Sequence, residues 1–166
     1  MHQPLHHDLA QKIISGYREQ GRKIVTAESC TGGLVAGMLT EISGASGVFE
    51  RGFITYSNDS KIDVLGVDNL AIQQCGAVSA EVAAQMAKGA LEFSSADTAL
   101  SVTGIAGPSG GSVDKPVGLV YFGLATRAGA LLHYKCNFTG TRSEIREKAV
   151  GEAFRLLLSA IEDLAL

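Results

Sequence analysis

Apolar residues recur along the chain at two spacings, one near 3.6 residues and one of two, and the alternation between them divides it into helices and strands. From Asp8 to Gln20, Leu9, Ile13, Ile14 and Tyr17 fall on one helical face, and Gly21 follows as a stop. Lys23 to Ala27 reads as a short strand. Thr31-Gly32-Gly33 then leads into a buried helix, Leu34-Val35-Ala36-Gly37-Met38-Leu39. Gly44 to Gly47 is a loop, and Val48 to Ser57 has the β-branched and aromatic character of a strand. Asn58 or Asp59 can cap a short helix ending near Leu65, because a side-chain oxygen there accepts an orphaned helical N–H. Ser79 opens a clearer helix with Ala83, Met86, Ala87, Ala90 and Leu91 on its buried face. Asp97 to Thr103 is an apolar strand that runs into a glycine-rich loop, Gly104 to Ser112. Gly118 to Thr126 and Leu131 to Phe138 pair as a hairpin around Gly129. The last helix spans Ser143 to Leu164, with Ile145, Ala149, Ala153, Leu156 and Leu157 turned inward. Strands interleaved with helices, without a repeat or linker, predict one α/β domain over residues 1–166, a three-layer α/β/α arrangement with a mixed sheet flanked by helices.

Composition narrows the function classes. With 46% hydrophobic and 19% charged residues, the 166-residue chain can bury a full core. A net charge of -3 argues against a generalised nucleic-acid or membrane surface. The best apolar run, Pro116 to Thr126, is too short for a membrane span, and the opening Met-His-Gln-Pro-Leu-His-His-Asp lacks the form of a secretory signal, so a cytoplasmic protein is expected. Cys30, Cys75 and Cys136 are odd in number and lack ligand spacing, so free thiols are expected rather than a disulfide framework or a zinc site. His2, His6 and His7 have no acidic or thiol partner at helical spacing, and no metal is expected.

The strongest chemical signal is Thr26-Ala27-Glu28-Ser29-Cys30-Thr31-Gly32-Gly33, which puts small polar residues where a strand ends and a helix begins. Helix starts carry unpaired N–H groups and the positive dipole end. A serine hydroxyl there can attack a carbonyl while nearby N–H groups, those of Thr31 and Gly32, stabilise the oxyanion. Capping of the helix by Ser29 or Thr31 is the plainer account, and the motif alone does not make an enzyme. Cys30 is the weaker nucleophile, since no partnered histidine is apparent.

A serine needs a base, and His133 sits mid-strand while the other histidines lie in the terminal tail. A lysine serves when burial or a neighbouring charge lowers its pKa. Lys61 follows the strand bearing Tyr56, so both can reach the end of the sheet that carries Ser29, although lysine is ordinarily a surface residue. The loop from Gly104 to Gly111 fits neither the dinucleotide fingerprint nor the P-loop; it is a binding loop or a flexible surface turn. Arg142, after Thr139-Gly140-Thr141, stands at a helix start where a guanidinium and free N–H groups together suit a phosphate, although an ordinary surface arginine is the default there.

Four motifs in order carry a resemblance: Ala27-Glu28-Ser29-Cys30-Thr31-Gly32-Gly33; Phe53-Ile54-Thr55-Tyr56-Ser57-Asn58 with Lys61; Gly76-Ala77-Val78-Ser79; and Thr103-Gly104-Ile105-Ala106-Gly107-Pro108 with Gly110-Gly111 and Lys115-Pro116-Val117-Gly118. Together they resemble the CinA carboxy-terminal domain family, whose stand-alone bacterial members include nicotinamide-nucleotide amidohydrolases. The resemblance implies hydrolysis of nicotinamide mononucleotide to nicotinic acid mononucleotide and ammonia, in pyridine-nucleotide salvage, with no metal or organic cofactor. It implies Ser29 as nucleophile, Lys61 as its base and Tyr56 assisting or orienting the pair, with Thr103, Gly104 and Arg142 at the substrate. A homo-oligomer, by default a two-fold dimer, is the implied assembly. Two rivals stay open: a non-catalytic nucleotide-binding or regulatory module, since family members are also found fused to a second domain, and an amidohydrolase acting on another amide.

Overall fold

The computed structural model describes residues 6–163, so His2 and the expected helix end at Leu164 lie outside the described residues. Strands β1 (Ile24–Glu28), β2 (Phe49–Ile54), β3 (Thr98–Gly104), β4 (Leu119–Thr126) and β5 (Leu131–Asn137) form one sheet in the order β2-β1-β3-β4-β5. β1 runs parallel to β2 and β3, while β3–β4 and β4–β5 are antiparallel. The helices are α1 (His7–Glu19), α2 (Leu34–Thr40), α3 (Asn58–Leu65), α4 (Asn69–Cys75), α5 (Ala80–Glu92) and α6 (Arg142–Asp163). α1, α2 and α6 pack on one face of the sheet and α5, carrying α3 and α4, on the other, which makes the expected three layers.

Side-chain alternation feeds the two cores. Along β1, Ile24 faces the α1–α6 side, whereas Val25 and Ala27 face α5. Along β3, Leu100 and Val102 face α6, while Ala99 faces α5 and the Ser101 hydroxyl donates to the Ala83 carbonyl of that helix at 2.6 Å. The alternation, carried one residue past the end of β1, delivers Ser29 to the α3–α5 side, and within β3 it delivers Thr103 there. Ser29 N–H donates to the Val102 carbonyl at 2.9 Å, extending the parallel ladder one residue beyond Glu28.

Several local expectations are adjusted. The second strand stops at Ile54 rather than Ser57, because the residues that follow turn into α3. Ser57, not Asn58 or Asp59, caps α3: its side chain accepts the Ser60 N–H. α4, absent from the sequence reading, is capped by Asp68, and Ala45–Gly47 within the expected loop forms a short 3-10 turn. Ser79 caps α5 as expected, accepting the Val82 N–H. At α6 a reciprocal Thr141–Glu144 capping box sets the first turn, which begins with Arg142. Among the described residues no helix is long and apolar enough to cross a membrane.

Candidate active site

In an open α/β sheet, ligands settle outside the carboxyl ends of the strands where the chain order reverses. Here that place is the β1/β3 boundary, since β1 connects outward to β2 on one side and later elements return to β3 on the other. A cleft opens there with Ser29, Cys30, Lys61, Thr103 and Gly104 along its base and Tyr56, Asn58, Ala77, Val78 and Arg142 around it. A larger cavity, near Thr40 and Phe49, has no titratable side chain in its walls and offers no chemistry.

Ser29 and Lys61 meet at the base. Both are buried, with 8% and 1% of their surface exposed, and Lys61 Nζ lies 3.0 Å from Ser29 Oγ. Lys61 is brought there by α3, which can approach α5 closely only because residue 89 is glycine. A Cβ at Gly89 would stand 1.9 Å from the Leu65 carbonyl oxygen. The other neighbours of Nζ are the carbonyls of Thr55 at 2.8 Å and of Tyr56 and Ser57 at 3.5 Å. Among the described residues no carboxylate stands in hydrogen-bonding reach of the ammonium, and burial holds the Lys61 pKa below the ordinary lysine range. A neutral amine has two N–H donors and one lone pair. Donation to the carbonyls leaves the lone pair for the Ser29 hydroxyl proton, the arrangement a general base requires. Cys30 is no competitor, because burial pushes its thiol up to about 11 and keeps it protonated near neutrality.

The turn that carries Ser29 is gripped from both sides. The Glu28 carboxylate, 1% exposed, accepts the N–H groups of Gly33, Val35 and Ala36 at 3.0, 3.1 and 2.9 Å. From α6, Arg146 donates through Nε to the Cys30 carbonyl at 3.1 Å and through Nη2 to the Thr31 carbonyl at 3.0 Å. Neither role was assigned from sequence. Glu28 had appeared only within a motif, and Arg146 carried one weak signal, its place one helical turn beyond Arg142.

Six expected site residues line the one cleft: Ser29, Lys61, Tyr56, Thr103, Gly104 and Arg142. Two do not. Thr31 is fully buried away from the cleft, and Gly32 turns its N–H onto the Ser29 carbonyl at 3.0 Å instead of toward a substrate oxygen. Tyr56 lines the cleft differently from its expected role. Its phenol oxygen accepts from Arg142 Nη2 at 2.9 Å, and only its backbone carbonyl approaches Lys61. Arg142 also donates to the Gly107 carbonyl at 2.8 Å, so its guanidinium ties the glycine-rich loop to the Tyr56 side of the mouth. Of the N–H groups at this helix start, that of Thr141 meets the Glu144 carboxylate and that of Glu144 meets the Thr141 hydroxyl.

The opposite wall, Ala77 and Val78, was quoted in a motif but given no role. Thr103 Oγ1 donates to the Ala77 carbonyl at 2.9 Å, and the Lys115 ammonium donates to the carbonyls of Cys75 and Val78. Gly104 presents bare backbone to the cleft, where a Cβ would meet Val120 Cγ2 at 2.7 Å and Cys30 Sγ at 3.1 Å.

A family model described as the CinA C-terminal domain matches residues 6–161. The nicotinamide-nucleotide amidohydrolase PncC of Enterobacter agglomerans is 48% identical over 143 residues, covering 86% of this chain and 87% of that one. Other relatives are longer: a CinA-like protein of Geotalea daltonii is 49% identical over 135 residues, and the match spans 81% of this chain but 32% of that protein. The chain likewise spans 37% of a relative from Caldicellulosiruptor saccharolyticus. The crystal structure of competence/damage inducible protein CihA from Agrobacterium tumefaciens superposes with a TM-score of 0.92 at 49% identity, covering 94% of each chain.

Proposed function

Because the chain belongs to the CinA C-terminal domain family, we propose that it hydrolyses the carboxamide of nicotinamide mononucleotide, giving nicotinic acid mononucleotide and ammonia. The observation that carries this reading is the buried pair, Lys61 Nζ 3.0 Å from Ser29 Oγ at the base of a cleft with an arginine at its mouth. The similarity to the PncC amidohydrolase over most of both chains supports the choice of amide.

Neutral Lys61 takes the Ser29 proton as Oγ attacks the carboxamide carbon, forming a tetrahedral intermediate with its charge on oxygen. The Lys61 ammonium returns that proton to the amide nitrogen. The C–N bond breaks, ammonia leaves, and an ester joins the nicotinoyl carbon to Ser29. Water then attacks the ester with Lys61 again as base, Ser29 Oγ recovers its proton, and the carboxylate product departs. Arg142 supplies positive charge for the nucleotide phosphate, and Tyr56, hydrogen-bonded to that guanidinium, orients the mouth over the reacting pair.

The same reading places the chain in the cytoplasm, in keeping with its three free cysteines, and assembles it as a two-fold homodimer. Exposed Leu131 and Leu132 on the edge strand β5 suit such a contact. Light scattering on the purified protein tests the assembly.

The decisive experiment incubates the protein and its Ser29→Ala variant with nicotinamide mononucleotide and measures ammonia. Release by the parent and none by the variant is expected. Release by both moves the nucleophile away from Ser29, and nucleotide binding without release by either turns the reading toward a regulatory module.

A further inference from the structure

Acyl transfer at Ser29 places negative charge on the carboxamide oxygen, and donors must be in position before that charge develops. Most N–H groups of the nucleophile turn are already committed. Those of Gly33, Val35 and Ala36 serve Glu28, that of Leu34 serves the Thr31 carbonyl, that of Gly32 serves the Ser29 carbonyl, and that of Ser29 serves Val102. Two remain. Among the described residues neither the Cys30 N–H nor the Thr31 N–H has a backbone acceptor, and of the two residues Cys30 borders the cleft while Thr31 is fully buried outside it.

The direction of these two N–H groups follows from the carbonyls beside them, because a trans peptide is planar and its C=O and N–H point to opposite edges. The Ser29 carbonyl is held by Gly32 N–H, which turns the Cys30 N–H to the far edge. The Cys30 carbonyl is held by Arg146 Nε, which turns the Thr31 N–H likewise, and Nη2 of the same guanidinium holds the Thr31 carbonyl. Cys30 lines the cleft and Arg146 does not, so the turn stands between the guanidinium and the reacting centre.

We propose that Arg146 is a positioning residue for catalysis: by gripping the Cys30 and Thr31 carbonyls from behind, it fixes the turn in which Gly32 N–H holds the Ser29 carbonyl, and so aims the Cys30 N–H at the carboxamide oxygen as the oxyanion-hole donor. The planar fork matters as much as the charge, since one guanidinium spans two successive carbonyls while an ammonium is a point donor. The inference rests on Ser29 being the acyl-transfer nucleophile of the proposed reaction.

The test compares Arg146→Ala and Arg146→Lys with the parent in steady-state turnover of nicotinamide mononucleotide, with Ser29→Ala alongside. It also measures inhibition by pyridine-3-boronic acid, which forms a tetrahedral adduct on a serine and places an oxygen in the oxyanion position. For Arg146→Ala the expected result is a kcat lower by about 10²-fold with KM within about threefold of the parent. Boronate affinity should fall in parallel, and millimolar methylguanidine should restore part of kcat. Arg146→Lys, which keeps the charge and the stem, should recover little. An undiminished kcat, an Arg146→Lys equal to the parent, or a lowered kcat with boronate affinity intact each overturns the proposal. If the alanine variant fails to fold, the lysine variant alone decides by the same kcat and boronate readouts. Turnover retained by Ser29→Ala would instead remove the underlying amidase reading, a result separate from any change at Arg146.

Discussion

The two sides of the cleft are built on opposite plans. On the nucleophile side, from Glu28 to Ala36, a buried carboxylate and an arginine fork hold the backbone, and Ser29 N–H is fixed to β3. On the other side the loop from Gly104 to Gly118 is closed at its neck by Ile105 N–H to Leu119 and Gly118 N–H to Ile105, yet its tip reaches solvent, with Val113 99% exposed. Among the described residues Lys115 alone reaches by hydrogen bonds from near that tip to the Ala77–Val78 wall. The contrast separates two tasks. Atoms that must meet within a fraction of an ångström sit on the over-determined side, whereas the side that faces the bulk of a substrate hangs on few bonds and can vary.

The largest break in that contrast comes from the base. Lys61→Met should lower kcat by about 10²- to 10⁴-fold, the usual worth of a positioned proton acceptor. In the parent, kcat/KM should rise with pH through the lowered Lys61 pKa, at a midpoint below the ordinary lysine value of about 10.4, because only the neutral amine accepts the Ser29 proton. Stability follows the same sign. The unfolded chain binds the lysine proton more tightly than the folded one, so Lys61 contributes a folding penalty at low pH that fades as pH climbs from its folded to its unfolded pKa. The melting temperature of Lys61→Met relative to the parent should therefore fall steadily over that window. A flat difference would show that Lys61 titrates normally.

The rigid side can be loosened without touching the reacting atoms. Glu28→Gln keeps the shape but replaces two anionic oxygens with one neutral acceptor and an NH2 group that faces donors, leaving at least one buried N–H unmet. A loss of about 2–3 kcal/mol in unfolding free energy is expected. A kcat loss larger than any change in KM should accompany it, since the turn that aims Ser29 is anchored there. Denaturant melts and steady-state kinetics check the two effects.

Much of the fold was legible because it depends on patterning that is local in sequence. The expected helices and strands are present, in the expected layers, because apolar spacing of two or about 3.6 reports directly which face is buried. α4 escaped because seven residues with only Ala71 and Ile72 buried are too few to show a period. At the cleft, Ser29 and Lys61 were paired through the family resemblance, while spacing alone said only that both could reach one end of the sheet. A lysine is ordinarily solvated, and what buries this one is the approach of α3 to α5 permitted at Gly89, a contact between segments distant in sequence. For the same reason the sequence could not show that the Gly32 N–H expected to face substrate serves the Ser29 carbonyl, nor that the Tyr56 phenol answers to Arg142. Periodicity tells which way a residue faces, not which partner reaches it first.

The variable side offers the smallest and most specific effect. The Lys115 ammonium bridges the carbonyls of Cys75 and Val78, and Gly76 between them leaves it room, since a Cβ there would lie 2.7 Å from Nζ. Removing the ammonium in Lys115→Met leaves the Ala77–Val78 wall held by Thr103 through Ala77 alone. The wall touches neither Ser29 Oγ nor Lys61 Nζ, so its loosening should weaken ground-state binding and spare the chemical step. That predicts a KM raised about tenfold, equivalent to about 1.4 kcal/mol, with kcat within about twofold. Val113→Ser at the exposed tip should change neither constant. If Lys115→Met lowered kcat and left KM alone, the loop side would be as much a part of the catalytic geometry as the nucleophile turn, and the division of labour drawn between them would fail.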